Sequence, residues 1–205
     1  MKYLKKYEDV TINADWDTIL GNLIMMKDIE AIKRDWIDIM FFDLNTLNKF
    51  GNSPLKMATT ERNLEIMKLF LEHGANPNFP IGDRTPLMSL LATYNGNPEL
   101  TIACIKMLIS HGANVNARSK QTGRTAIIFA AECCDSIAVM KELIKSGANL
   151  FVFDDLGRDV FYYADKRVND KKLRSHRMLK WLQTNYFNDF AKHRLARANS
   201  KRFDL

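Results

Sequence analysis

The sequence predicts an all-α fold, a solenoid of about five helix-turn-helix units. Polar residues suited to capping a helix recur along the chain, at Ser53, Thr85, Thr125 and Asp159. Glycines suited to ending a helix also recur, at Gly74, Gly112 and Gly147. The capping residues are 32, 40 and 34 residues apart, and a spacing of this size is typical of repeat proteins.

The first unit, residues 15–50, is predicted to be a degenerate repeat that caps the stack, after a lead-in of residues 1–14. Apolar residues spaced for one helical face mark its second helix: Ile29, Ile32, Trp36 and Met40. A departure from the repeat pattern is expected here, because one side of a terminal repeat faces water.

The central units are predicted at residues 51–84, 85–124 and 125–158. In the clearest one, Ser53 caps the first helix and Pro54 occupies the first helical position, where its missing N–H costs nothing. The unit at 85–124 is longer than the others. We place its surplus in the turn-rich stretch between its two helices, where an insertion lengthens a loop without breaking the stack.

The last unit, residues 159–190, is predicted to cap the other end, with an outer helix from about Lys172 to Phe190. It lacks the glycine stop of the central units. Residues 191–205 are basic and polar, and they are predicted to be a frayed helix or a tail.

The motifs resemble those of the ankyrin repeat. Thr85-Pro86-Leu87 matches the start of its T-P-L-H-x-A signature, and Gly112-Ala113-Asn114-Val115-Asn116 matches its G-A-D-x-N stop. The resemblance covers about residues 15–190. It implies an ankyrin-repeat solenoid with short β-hairpin fingers between its units, and a module that binds a partner protein. One departure is uniform, because the histidine of the signature is replaced in each unit, by Lys56, Met88, Ile128 and Tyr162. Its absence predicts a less stable stack that is held more by apolar contacts.

Composition and charge limit the cellular compartment and the kinds of partner that can be expected. The net charge is +6, but residues 1–163 carry −2 and residues 164–205 carry +8. No apolar run is long enough for a membrane span, and no secretory signal is visible at the start. Three cysteines, two of them adjacent, argue against a disulfide framework. We therefore expect a cytoplasmic protein, in the producing cell or in a host cell, without membrane association.

No residue pattern predicts an enzyme, a cofactor or a metal site. His73 and His111 occupy the same repeat position, so a structural role is favoured over a metal site. Cys104 aligns with apolar residues and is interpreted as a small buried hydrophobe. Cys133 and Cys134 show no partner that favours redox chemistry over a structural role. Phosphate-binding loops and nucleophile elbows are absent from the sequence.

The fingers are predicted to bind the partner, because the resemblance implies binding along the fingers and the concave face. Exposed aromatic and charged side chains suit interface anchors. The predicted partner-binding residues are Phe50, Phe79, Ile81, Arg84, Arg118, Lys120, Arg124, Phe153, Asp154 and Asp155. The alternative is that the finger rings fold back onto the neighbouring finger.

The predicted function is non-catalytic protein binding by a monomer, as an adaptor, an inhibitor or a bacterial effector. The alternative is a binder of nucleic acid or of an acidic surface that acts through the basic C-terminal end. A solvated helix face or an acidic protein partner explains the same charge. No nucleic-acid motif is present, and no base-stacking aromatics are interleaved with the charges of the tail.

Overall fold

The computed structural model of the protein describes residues 21, 24–34, 43–80, 82–169 and 177–203. The regular structure of these residues is helical, and no β-strand occurs among them, so the all-α prediction is confirmed. They form two compact bodies. The first body takes in the described residues up to Leu90 together with Ala103–Asn114, and the second takes in Leu91–Ile102 and the described residues from Val115 onward.

The first body contains short helices separated by tight turns. In chain order they are α1 (Ile29–Arg34), α2 (Pro54–Thr60), α3 (Leu64–Glu72), α4 (Pro86–Ala92) and α5 (Pro98–Ser110), of which α4 and α5 have residues in both bodies. Helix α2 packs against α3. The side chains of Ile66, Met67 and Phe70 on α3 are completely buried, as expected for the apolar face of an amphipathic helix.

Side-chain caps define where these two helices begin. The Ser53 hydroxyl accepts a hydrogen bond from the Lys56 N–H at 3.2 Å, and Pro54 follows it at the first helical position. The Asn63 side chain caps α3 by accepting from the Ile66 N–H at 3.1 Å. Each cap satisfies a donor that the helix itself leaves unpaired.

The second body contains α6 (Ala126–Cys133), α7 (Ile137–Lys145), α8 (Val160–Asn169) and α9 (Arg177–Phe203). Helix α6 packs against both α7 and α8, and α9 packs against α8 and α7. Every residue of α6 from Ala126 to Ala131 is buried. Helix α6 is therefore the centre of this body.

The four predicted helix starts are confirmed, since each helix begins one residue after the predicted capping residue. The Asp159 carboxylate accepts from the Tyr162 N–H at 3.0 Å, and the Thr85 hydroxyl accepts from the Met88 N–H at 3.4 Å. Thr125 is the exception. Its hydroxyl is buried and has no hydrogen-bond partner among the described residues.

The three predicted glycine stops are confirmed as well. Gly74, Gly112 and Gly147 have φ angles of 91°, 89° and 90°, a left-handed conformation that residues with a Cβ adopt only at a cost. In each case the N–H of the following alanine bonds to a carbonyl of the last helical turn, at 2.9 Å.

Asparagine amides connect successive stops of the first body. Each amide donates to the carbonyl of a stop glycine and accepts from the backbone N–H two residues after that glycine. The distances are 3.2 and 2.7 Å for Asn45, bonded to Gly74 and Asn76, and 2.8 and 2.7 Å for Asn78, bonded to Gly112 and Asn114. These polar ties join repeats that lack the signature histidine, and the sequence analysis did not anticipate them.

The second body has a tie of the same kind. The Asn116 amide donates to the Gly147 carbonyl at 2.9 Å and accepts from the Asn149 N–H at 2.8 Å. The Asn149 side chain instead accepts from the Phe151 N–H at 2.9 Å, within its own turn.

Helix α9 continues past the predicted end at Phe190 to Phe203, while the predicted start near Lys172 lies outside the described residues. No glycine or proline interrupts it, so nothing in the backbone forces the helix to stop. The Arg194 guanidinium also bonds to the Asp159 carboxylate, with Nε and Oδ2 2.6 Å apart. This contact holds the added turns against the body.

Candidate partner-binding fingers

The finger at residues 47–52 is a tight turn in the first body, closed by one asparagine. The Asn48 side-chain oxygen accepts from the Phe50 N–H at 3.0 Å and from the Asn52 N–H at 2.8 Å. The Asn48 N–H donates to the Asn52 carbonyl at 2.9 Å. The turn leaves the Phe50 side chain 73% exposed, with the Lys49 ammonium 5.4 Å from the ring centroid.

The finger at residues 79–84 exposes less of its phenylalanine ring than the finger at residues 47–52 does. Phe79 is half-buried, and Ile81 lies outside the described residues. Arg84 is exposed and lies 3.7 Å from the Asp83 carboxylate. Burial lowers the pKa of Lys56, and the positive charge of Arg84 lowers it further. The positive charges of Lys56 and Arg84 are therefore close enough to interact.

The second body has two fingers, at residues 118–124 and 152–158. In the first, the Ser119 N–H donates to the Arg124 carbonyl at 2.8 Å and the Gly123 N–H donates to the Ser119 carbonyl at 2.9 Å. In the second, the Asp154 N–H donates to the Arg158 carbonyl at 2.9 Å. Each finger is a hydrogen-bonded turn that forms no strand, although the resemblance implied short β-hairpins.

Arg118 and Asp155 join these two fingers. The Arg118 guanidinium lies 3.0 Å from the Asp155 carboxylate and donates to the Phe153 carbonyl at 3.1 Å. The Asp155 N–H donates to the Thr122 carbonyl at 3.1 Å. The two turns therefore present one surface whose parts are fixed relative to each other.

A buried carboxylate supports this surface from below. Asp154 is 2% exposed, and its Oδ2 accepts from the Tyr163 hydroxyl at 2.6 Å and from Arg158 Nε at 2.8 Å. Burial by itself would raise the pKa of Asp154, but the hydrogen bonds from Arg158 and Tyr163 outweigh it and hold the pKa at about 2. The same environment acts oppositely on Tyr163, whose pKa is raised by burial and by the bond to Asp154.

Arg124 lies between the fingers and α6. Its guanidinium is 2.8 Å from the Glu132 carboxylate and 4.5 Å from the centroid of the Tyr163 ring. Both Arg124 and Glu132 are only partly exposed. An arginine stacked on an aromatic face in this way contributes to packing as well as to charge.

The predicted site residues fall into distinct groups. The exposed ones are Phe50, Arg84, Arg118, Lys120 and Asp155. The half-buried ones are Phe79, Arg124 and Phe153, Asp154 is buried, and Ile81 is outside the described residues. The burial of Asp154 corrects its assignment as a surface residue, because a buried carboxylate offers no contact area. The fold brings Arg118, Phe153 and Asp155 together.

The sequence analysis did not include Leu156, an exposed apolar residue of the finger at 152–158, in the predicted site. Leu156 is 74% exposed, and its N–H donates to the Asp154 carboxylate at 3.0 Å. An apolar residue directly after two acids in a predicted turn is a signal that could have found it.

The histidine and cysteine residues that were weighed as possible metal or redox sites include His73, His111 and Cys104. The two histidine rings bond to the backbone, and Cys104 is buried. The His73 ring bonds to the Leu69 carbonyl, and the His111 ring to the Met107 carbonyl, each through Nδ1 at 2.8 Å. Burial raises the pKa of Cys104 to about 11. The described residues include no group of three or more His, Cys, Asp or Glu side chains placed for a metal ion. No described helix is both long and apolar enough to cross a bilayer.

Capped inner helices, glycine stops and turn-shaped fingers in regular succession define the ankyrin-repeat class. The family model described as ankyrin repeats (3 copies) matches this chain over residues 23–118 and 81–154. The chain belongs to the ankyrin-repeat family, whose repeats generally mediate protein–protein interaction and are typically non-catalytic.

Relatives of diverse kinds share the repeats. The chain is 32% identical over 91 residues to the nuclear factor NF-kappa-B p105 subunit of Gallus gallus, which is 44% of this chain and 9% of that protein. It is 30% identical over 83 residues to the ankyrin repeat, SAM and basic leucine zipper domain-containing protein 1 of Carollia perspicillata, 40% of this chain and 17% of that protein. It is 30% identical over 124 residues to the E3 ubiquitin-protein ligase KEG of Arabidopsis thaliana. This match covers 59% of this chain and 7% of that protein. The chain thus spans less than a fifth of each relative.

Proposed function

We propose that this chain is a non-catalytic module that binds a partner protein through its fingers. The observation that carries the proposal is the exposure of Phe50 at the tip of a turn that Asn48 holds in place. A large ring left in water is costly to solvate, and its burial against a partner recovers that free energy. Aromatic residues in such positions are frequent anchors of protein interfaces.

The joined fingers of the second body support the same function. Leu156 is an exposed apolar residue, and the charged side chains of Arg118, Lys120 and Asp155 are exposed in the same two fingers. An apolar centre with a polar rim is the usual composition of a protein interface. Because the turns are already fixed, little conformational entropy is lost when a partner binds them.

We further propose that the chain acts as a monomer in a cytoplasm, as an adaptor, an inhibitor of a bound enzyme, or a bacterial effector in a host cell. None of its three cysteines forms a disulfide in the structure, and two of them are buried. Cysteines outside disulfides suit a reducing compartment.

The test begins with capture of partners from native lysate and their identification by mass spectrometry. The affinity of the captured partner is then measured for the Phe50→Ala, Leu156→Ala double variant, and we expect a loss of about tenfold or more. Phe79→Ala, Phe153→Ala is a second variant, for which we expect a smaller loss because both rings are half-buried.

Met26→Ala is the matched control, because it removes an equally exposed apolar side chain from outside the fingers. The Phe50→Ala, Leu156→Ala variant and the Met26→Ala control should keep the melting temperature of the parent, since the removed side chains are mostly in water. The Phe79→Ala, Phe153→Ala variant should melt at a lower temperature, because both rings are half-buried. Unchanged affinity of the Phe50→Ala, Leu156→Ala variant would refute binding through the finger tips.

The charge of α9 favours a second candidate, the binding of nucleic acid. The helix carries seven Lys and Arg residues and a single acid, Asp189. A gel shift with random-sequence duplex tests it at low and at physiological salt. We expect a weak shift that disappears at physiological salt, because charge alone gives an affinity that falls steeply with salt. A tight shift at physiological salt would instead favour this candidate.

A further inference from the structure

Helix α9 carries an exposed apolar patch that is separate from the fingers. Phe187, Ala191 and Leu195 are spaced by four residues, so they lie along one face of the helix. The Phe187 side chain is 57% exposed and the Leu195 side chain is 64% exposed. We call these three residues the terminal patch.

A small cavity opens beside the terminal patch. Its volume is about 150 Å³, and it is lined by Phe161, Phe187, Phe190, Ala191 and Arg194. An apolar cavity of this size can hold a group as large as benzene. It therefore has room for one apolar side chain of a partner.

The cavity walls are held firmly in place. The Phe190 ring is buried, and its centroid is 4.5 Å from that of Phe161 and 4.9 Å from that of Phe151. The His193 ring stacks on Phe151 at 4.4 Å. The pair between Arg194 and the buried Asp159 carboxylate fixes the next turn of α9. The site is thus formed before any partner binds.

Helix α9, which carries the terminal patch, is strongly positive. Lys180 and Lys192 are exposed on α9, whose Lys and Arg residues outnumber its acids seven to one. Arg194 already pairs with Asp159, so the two lysines are the cations better placed to meet a partner's carboxylates. Carboxylates placed opposite such cations increase the association rate and the specificity of a complex.

We propose that the terminal patch binds an acidic amphipathic helix of a partner protein, which inserts one apolar side chain into the cavity and places carboxylates near Lys180 and Lys192. The apolar lining of the cavity favours a protein side chain over duplex nucleic acid, since the phosphates and sugars on the outside of a duplex gain nothing from an apolar pocket. The apolar face is also narrow, whereas a helix that lies on a membrane buries a broad apolar face in the lipid.

The experiment uses the full chain and a fluorescein-labelled helical peptide of about 16 residues, about 24 Å long. The peptide is built from Glu and Ala with a central Leu pair at i and i+4. The matched probe replaces both Leu residues by Ala. At about 0.15 M salt, where long-range charge effects are screened, fluorescence anisotropy should show the Leu peptide binding about tenfold tighter or more than the Ala peptide.

Two variants of the chain locate the site. Ala191→Trp fills the cavity and should weaken binding of the Leu peptide about tenfold. Lys180→Glu, Lys192→Glu reverses the charge without touching the cavity, and should weaken binding of both peptides. Asn185→Ala, an exposed change at another position of α9, should leave both affinities unchanged. Circular dichroism melting of each variant verifies that it is folded.

Equal affinity for the Leu and Ala peptides would overturn the proposal, because it would mean that charge alone attracts the probe. Tighter binding of random-sequence duplex or of phosphatidylserine-rich vesicles than of the Leu peptide would overturn it as well. The Phe50→Ala, Leu156→Ala variant should bind the Leu peptide normally. Failure of the terminal patch and failure of the fingers are therefore distinguishable.

Discussion

The finger at residues 47–52 and the two fingers of the second body are held in shape by different kinds of contact. In the first, the turn is held by hydrogen bonds among residues 48–52, and the Asn48 side chain accepts two of them, from N–H groups two and four residues away. In the second body, Arg118 and Asp155 bond across 37 residues of sequence, and Asp154 is buried beneath them. The contacts of the first finger join residues that are close in sequence, whereas those of the second body join residues that only the fold brings together.

The difference bears on the partner binding that we propose for the fingers. The local contacts leave the Phe50 ring in water, so this finger supplies apolar contact area. The long-range contacts use charged side chains to join two turns, so these fingers supply a rigid polar surface around Leu156. Stability should therefore respond strongly to changes in the fingers of the second body and weakly to changes in the finger at residues 47–52.

The largest expected effect is that of Asp154→Asn. The change removes the charge that Arg158 and Tyr163 bond to, and it leaves the Arg158 guanidinium without its partner. Breaking a buried ion pair in this way costs about 3 kcal/mol, to be measured by urea unfolding. Asp155→Asn is the matched control, because it makes the same change at the next residue, whose carboxylate is exposed. Equal stability of the two variants would mean that the buried cluster contributes nothing.

Acid should weaken the same cluster. The pKa of Asp154 is about 2 in the folded chain against an ordinary value of 3.8. A depressed folded pKa means that the stabilisation is complete above about pH 5 and is lost as the pH falls from about 4 towards 2. The loss should be about 2 kcal/mol.

Urea unfolding should be measured at several pH values between 5 and 2, because the Asp154 carboxylate takes up its proton within this range. The parent chain should lose more stability over this range than Asp154→Asn, which has no proton to gain at this position. A stability difference that stays constant down to pH 2 would contradict the role assigned to this carboxylate.

Two glycines in corresponding turns give a more direct comparison. Gly51 and Gly123 have φ angles of 71° and 65°, so alanine at either position should cost about 1 kcal/mol of backbone strain. A Cβ at Gly51 meets no atom within 4 Å, whereas one at Gly123 would collide with the Asp155 carboxylate and the Arg118 guanidinium. Thermal unfolding should therefore show a greater loss for Gly123→Ala. Equal losses would show that the Arg118–Asp155 pair moves aside freely.

The smallest effect is expected for the Arg118–Asp155 pair itself. Both side chains are about half exposed, so water screens their attraction. A double-mutant cycle with Arg118→Ala and Asp155→Ala should give a coupling of about 0.5 kcal/mol by urea unfolding. A coupling several times larger would mean that this pair, rather than the buried Asp154, determines the stability of the joined fingers.

The sequence was sufficient for features whose causes are local. Ser53, Thr85 and Asp159 cap helices because their oxygens bond to N–H groups three residues away, and such spacing can be read directly. The glycine stops were predictable for the same reason. The repeat pattern then supplied the all-α fold, because ankyrin units stack on one another in chain order.

The candidate site was less predictable because its chemistry depends on burial and distance. Nothing in the residues around Asp154 shows that Tyr163 will reach it, or that the two together will be buried. The contact between Asp159 and Arg194 spans 35 residues and extends α9 beyond its predicted end. Phe79 and Phe153 look like exposed tips in the sequence, and only packing shows that they are half-buried.

The asparagine ties between stops also bear on the chemical durability of the protein. Asn45, Asn78 and Asn116 each use both ends of the amide, the NH₂ as donor and the oxygen as acceptor. Asparagine is among the thermolabile residues, and hydrolysis of its amide leaves an aspartate. A carboxylate at any of these positions keeps the acceptor but loses the donor, and it places negative charge against a glycine carbonyl. Slow deamidation during storage would thus loosen the stack at its connections while leaving every helix and its apolar core chemically intact.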